Sequence, residues 1–132
     1  MKNDSLNNSN DTHAEKNYNL NELIQLSNGS NDFVANMLEI FVRSSSEILF
    51  QMNAALLIND WEKVSSAAHK AIPSFHFMGL INFSEKFKFI ESYALEEKNQ
   101  QRIREMIGFI DKNMVVIGIQ LNEKIQKFKI SK

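Results

Sequence analysis

The 132-residue chain has no cysteine, one proline, four glycines and three histidines. The missing thiols exclude a disulfide scaffold, a thiolate metal site and a cysteine nucleophile. Few histidines and glycines leave little material for a Ser-His-Asp triad, a histidine-rich metal cage or a Gly-rich phosphate loop. Charge of one sign is lacking too: 15 Lys and Arg against 16 Asp and Glu give a formal net charge of −1. Proteins that coat nucleic acid need a dense cationic surface, and this chain has none. No apolar run approaches the roughly 18 residues a membrane span requires. The N-terminal residues are polar, with no apolar stretch for a signal peptide. These readings describe a cytoplasmic, soluble, monomeric protein that binds neither membrane nor nucleic acid.

What is present is apolar and periodic. Ten Phe and six Met, with few helix breakers between them, point to long helices and no strand. Residues 1–18 form a polar tail too poor in apolar surface to order itself, and residues 19–130 form one domain. A short helix over Leu20–Ser27 is capped by Asn19 with Glu22 and stopped by Asn28-Gly29. A second helix runs from about Asn31 to Ile58. Its core stripe is Val34, Met37, Leu38, Phe41, Ile48, Met52, Ala55 and Leu56. Phe50 and Leu57 lie off that stripe, as material for another interface.

Asn59, with Glu62, caps a third helix that buries Trp61, Val64, Ala68, Ala71, Ile72 and Phe75 and stops at Gly79. Asn82, with Glu85, opens a fourth, with Phe83, Phe87, Ile90 and Ala94 inward. A fifth spans about Asn99 to Phe128 on a stripe of Ile103, Met106, Ile107, Ile110, Met114, Ile117 and Leu121. The expected fold is all-α: an antiparallel up-down four-helix bundle with a short extra N-terminal helix.

The chemistry concentrates in residues 67–80. At about 100° per residue, His69 falls roughly 120° from the centre of the buried stripe, and Lys70 farther still. Both belong on the open face. Glu62, Ser65, Ser66, Pro73, His76 and Phe77 should share the exposed surface around them. Phe77 either docks a partner or folds under the next loop. His76 and His69 alone are too few for a metal site, and no acidic cluster accompanies them. Serines 44–46 suit close helix packing, since no base is placed to activate them. Lysines 124, 127, 129 and 132 complement a helix C-terminus.

Ala68-His69-Lys70, the small-residue run after it and Gly79-Leu80 resemble the histidine phosphotransfer domain family. The resemblance extends to residues 20–29, Asp32-Phe33, residues 38–41 and Asn59-Asp60-Trp61, covering about Leu20 to Ala94. It implies that His69 is a phosphoacceptor and Lys70 a stabiliser of phosphoryl charge. Partner docking falls to Glu62, Ser65, Ser66, Pro73, His76 and Phe77. It also implies a phosphorelay intermediate without autokinase activity, and no cofactor of its own. Its partners would be response-regulator receiver domains, which supply aspartate and Mg²⁺, and a hybrid sensor histidine kinase. An adaptor of the same fold that binds receivers or kinases without phosphotransfer is the alternative, and a purely structural bundle or homodimer a third reading. Two positions depart from the family pattern: Ile72 where a second lysine is frequent, and Pro73 where glycine is usual. Proline removes the N–H that would bond the His69 carbonyl and crowds that carbonyl, at a cost of about 3 kcal/mol or a kink. A bend near His69–Pro73 is expected, unless the helix is already curved to fit it.

Overall fold

The computed structural model describes residues 18–130, so the expected disorder of residues 1–17 lies outside the described residues. Tyr18 is half-buried against the core. It belongs to the packed domain rather than to the tail in which the sequence placed it. Five helices follow: α1 (Asn21–Ser27), α2 (Asn31–Leu57), α3 (Trp61–Phe77), α4 (Ile81–Leu95) and α5 (Gln100–Ile130). No strand occurs among the described residues. None of these helices is long and apolar enough to cross a membrane.

The breaks between helices are set by backbone chemistry. Asn28 (φ 54°) with Gly29 (φ 88°), Asn59 (φ 56°) and Gly79 (φ 75°) take the left-handed conformation where helices stop. The caps fall differently from the sequence reading at all three starts for which one was predicted. Asn59 is in the left-handed turn and its side chain accepts from Arg104, so Asp60 becomes the cap of α3, accepting from the Lys63 N–H. Leu80, not Asn82, is the cap residue of α4 and supplies no side-chain bond. Asn19 sits one residue ahead of the α1 cap position, and its Oδ1 accepts from Asn21 N. α2 is capped by Ser30, whose hydroxyl accepts from Phe33 N.

α3 packs against α4, α2 against both α3 and α5, α4 against α5, and α1 against α2. The contacts therefore close a ring through the four long helices. Its centre is an aromatic cluster in which Phe75 meets Phe41, Phe83 and Phe87 edge-on, at 4.9–6.3 Å between ring centres. All four inward residues predicted on α4 are fully buried. Ile72, Met37, Leu56, Met106 and Met114 sit at the margin of the core, whereas Ala35, Leu49 and Ile125 join its interior. Ser45 and Ser46 turn their hydroxyls back onto the Val42 carbonyl on the side facing α5 and Gly118; of the serines 44–46 expected to allow close packing, Ser45 is buried, Ser44 half-buried and Ser46 exposed. Trp61, the only tryptophan, is buried at the start of α3 with the Arg104 guanidinium over its ring.

Candidate functional site

The outer ridge of α3 carries Glu62, Ser66, His69, Pro73 and His76, all exposed, at helical spacings of four and three residues. The stripe Trp61, Val64, Ala68, Ala71 and Phe75 anchors the opposite side of the helix in the core. That anchoring turns His69 outward, with its side chain 72% exposed. α3 runs unbroken through Pro73. Proline has no N–H, so the His69 carbonyl receives no bond from residue 73.

His69 is held from the neighbouring helix. Its Nδ1 lies 2.8 Å from Oε2 of Glu91 on α4. An ionised carboxylate can only accept, so the neutral ring meets it with Nδ1–H and carries its lone pair on Nε2. Glu91 is itself fixed. Ser65, one turn before His69, donates its hydroxyl to the Glu91 backbone carbonyl at 2.8 Å. The Glu91 side chain is 33% exposed, so water competes with the His69 contact less than at an open surface.

Lys70 faces the other flank of the ridge. With Lys63, Ser66, Phe50, Ala54 and Ile58 it lines an open groove of about 530 Å³ between α2 and α3. Phe50, Leu57 and Ile58 on and just after α2 are 75%, 84% and 71% exposed. Phe50 and Leu57 thus lie outside the core, as their positions off the stripe imply. His69 is accordingly bordered by a carboxylate toward α4 and by a cationic, partly apolar groove toward α2.

Two of the predicted surface residues are placed elsewhere. Ser65 is buried at 4% exposure because its hydroxyl is spent on the α3–α4 contact, so it offers nothing to a partner. Phe77 is half-buried and lines a small apolar pocket with Leu23, Met37, Ile40 and Phe41. The arrival of α1 and α2 at the end of α3 covers the side on which it projects. Among the described residues, no three His, Asp or Glu side chains are grouped so as to hold a metal ion.

Glu91 escapes the sequence reading. Its only local signal is its place beside Ile90, on the border of the α4 core stripe, and the pairing spans 22 residues. Compared with known proteins, the chain matches no family model, no curated protein and no solved structure.

Proposed function

We propose that the chain is a histidine-containing phosphotransfer protein. In this reading it accepts a phosphoryl group on His69 from a receiver-domain aspartate and passes it to another receiver. The scaffold is an up-and-down antiparallel four-helix bundle of α2 to α5, with α1 as a short extra helix. The observation that carries the reading is the exposed His69 ring, engaged by Glu91 at Nδ1, an arrangement in which a ring proton on Nδ1 leaves the lone pair on Nε2. A nucleophile for phosphorus needs that lone pair free and room for a partner on its side of the ring.

Transfer of a phosphoryl group passes through a loose, anionic transition state, so positioning and positive charge are the main requirements. Lys70 adjoins the nucleophile in sequence and supplies that charge. The aspartate and the divalent metal belong to the receiver. Phe50 and Ile58 provide apolar ground in the groove beside Lys70, and Glu62, Ser66 and His76 of the ridge set polar groups along the face of the ring, with Pro73 among them. A receiver docking there buries apolar surface at the centre with polar contacts around it. The protein acts in the cytoplasm as a monomer, between a hybrid sensor histidine kinase and a response regulator, with no kinase activity of its own.

One departure favours a second reading. Ile72 stands where a second lysine would help hold the phosphoryl group, so an adaptor that binds receivers without accepting phosphate fits the same surface. One experiment separates the two. The protein is mixed with receivers from the same organism, phosphorylated on aspartate. Acid-labile, alkali-stable label on this chain that is lost in His69→Gln supports phosphotransfer. Tight binding without label supports the adaptor.

A further inference from the structure

The outer side of α5 carries apolar surface that the bundle does not use. α5 packs on α2 and α4, and a stripe from Ile103 through Ile117 to Ile125 buries its inner side. On the opposite side Phe109, Val116 and Ile119 remain 43%, 42% and 58% exposed. Lys112 and Glu123 share that face, both exposed, and neither forms an ion pair among the described residues. Gly108 borders it. A glycine inside a helix costs about 1 kcal/mol against alanine. A Cβ at Gly108 would meet open space, so no packing within the chain calls for glycine there. Its bare backbone does leave room for a second helix to come close.

The order of residues along this face selects the occupant. Lys112, Val116, Ile119 and Glu123 follow at steps of four, three and four residues, the spacing of a seam between two helices. Reversed, the series keeps its spacing and its apolar centre, and its end charges exchange sign. An α5 laid antiparallel on another α5 therefore sets Val116 against Ile119 twice and Lys112 against Glu123 twice. Laid parallel, it sets Lys112 against Lys112 and Glu123 against Glu123, and like charges oppose the contact. We propose that α5 pairs antiparallel with α5 of a second copy of this chain, about a two-fold axis between residues 117 and 118. Such a contact is isologous and closes on itself. α3 and α5 face each other across the ring of helix contacts, so both His69 ridges point away from the joint. The pairing stands whether or not His69 carries phosphate. A seam of one helix a side is small against the roughly 1,200–2,000 Å² of a standard stable interface. The chain is thus a monomer when dilute, as in the phosphotransfer reading, and pairs as its concentration rises through the micromolar range.

Sedimentation velocity of the full chain between about 1 μM and 1 mM, the span of weak complexes, tests the pairing. The weight-average mass should climb from 15.2 kDa toward twice that value. Ile119→Lys places a charge at both central contacts and should hold the mass at one chain throughout, with an unchanged thermal melt because the side chain lies outside the core. Lys112→Glu brings like charges together at both ends and should weaken pairing severalfold. Adding Glu123→Lys to it should restore pairing, since each new glutamate again faces a lysine. A one-chain mass at every concentration overturns the proposal and leaves the face to a helix of another protein. Pairing that survives Ile119→Lys overturns the α5 assignment, and its loss in Phe50→Glu instead would place the contact in the α2–α3 groove. A double swap that pairs no better than Lys112→Glu alone overturns the antiparallel register.

Discussion

Asn53 of α2 bonds both carboxylate oxygens of Asp111 on α5, its Nδ2 lying 3.2 and 3.0 Å from Oδ1 and Oδ2 while also donating to the Leu49 carbonyl. Burial in this seam raises the Asp111 pKa above the ordinary aspartate value, and the Asn53 bond offsets part of the rise. The folded protein therefore holds this proton to higher pH than the unfolded chain does. Stability from Asp111 is greatest below about pH 4, the unfolded value, and declines as pH climbs through the raised folded value. Asp111→Asn keeps a carbonyl for Asn53 and stays neutral throughout. Its urea midpoint should exceed the wild type at pH 7, with the gap closing toward pH 4. A gap that widens toward pH 4 contradicts the assignment.

The two helix-stop glycines should differ sharply on substitution. Gly29 and Gly79 both have positive φ, so an alanine costs about 1–2 kcal/mol at either. A Cβ at Gly29 meets open space, but at Gly79 it falls 2.6 Å from the Asn19 backbone nitrogen. That nitrogen donates to the Met78 carbonyl, so the obstruction is tethered backbone. Chemical denaturation should show Gly79→Ala to be the more destabilised, and equal losses would mean that residue 19 yields freely.

Phe75 is the hub of the aromatic cluster and is fully buried. Phe75→Ala leaves a cavity lined by three other rings, and a loss of about 3–5 kcal/mol is expected. Differential scanning calorimetry of a chain this size should register it as a large fall in Tm. A loss below about 1 kcal/mol would show that the three rings collapse into the space.

The groove beside Lys70 is separable from the fold. Phe50→Glu and Ile58→Glu alter exposed side chains that line it and should leave stability within about 0.5 kcal/mol of wild type. If receivers dock there, both variants weaken binding in titration calorimetry, while labelling by phosphoramidate, a small phosphoryl donor that needs no docking, is retained. Lys70→Ala should slow transfer from a receiver more than it weakens binding. Receiver transfer as fast as wild type in Lys70→Ala removes the role assigned to that cation.

Much of the fold was legible because helical periodicity is dense in this chain. The stripes on α3 and α4 needed only the spacing of apolar residues, and Asn28-Gly29 and Gly79 needed only their tolerance of positive φ. The caps were less legible, because several polar residues cluster at each break. Which of Asn59 and Asp60 caps α3 was decided by Arg104, 45 residues away, binding one of them. The site shows the same division. His69 and Lys70 could be placed on the open face by rotation angle alone. The burial of Ser65 and the cover over Phe77 depend on α4 and on α1 with α2, so an angle measured on one helix cannot report them. Glu91 is the extreme case, a partner in space with nothing beside His69 in sequence to announce it.

The position of Trp61 gives the protein a built-in optical reporter. It is the chain's single indole, enclosed at the first turn of α3 beneath Arg104 and two helical turns from His69. Its fluorescence therefore arises from one known place, next to the α2–α3 corner that borders the Lys70 groove. Denaturation shifts that emission as the indole meets water. A receiver seated in the groove can be followed by energy transfer from Trp61 to an acceptor dye on the partner, with no label on this chain.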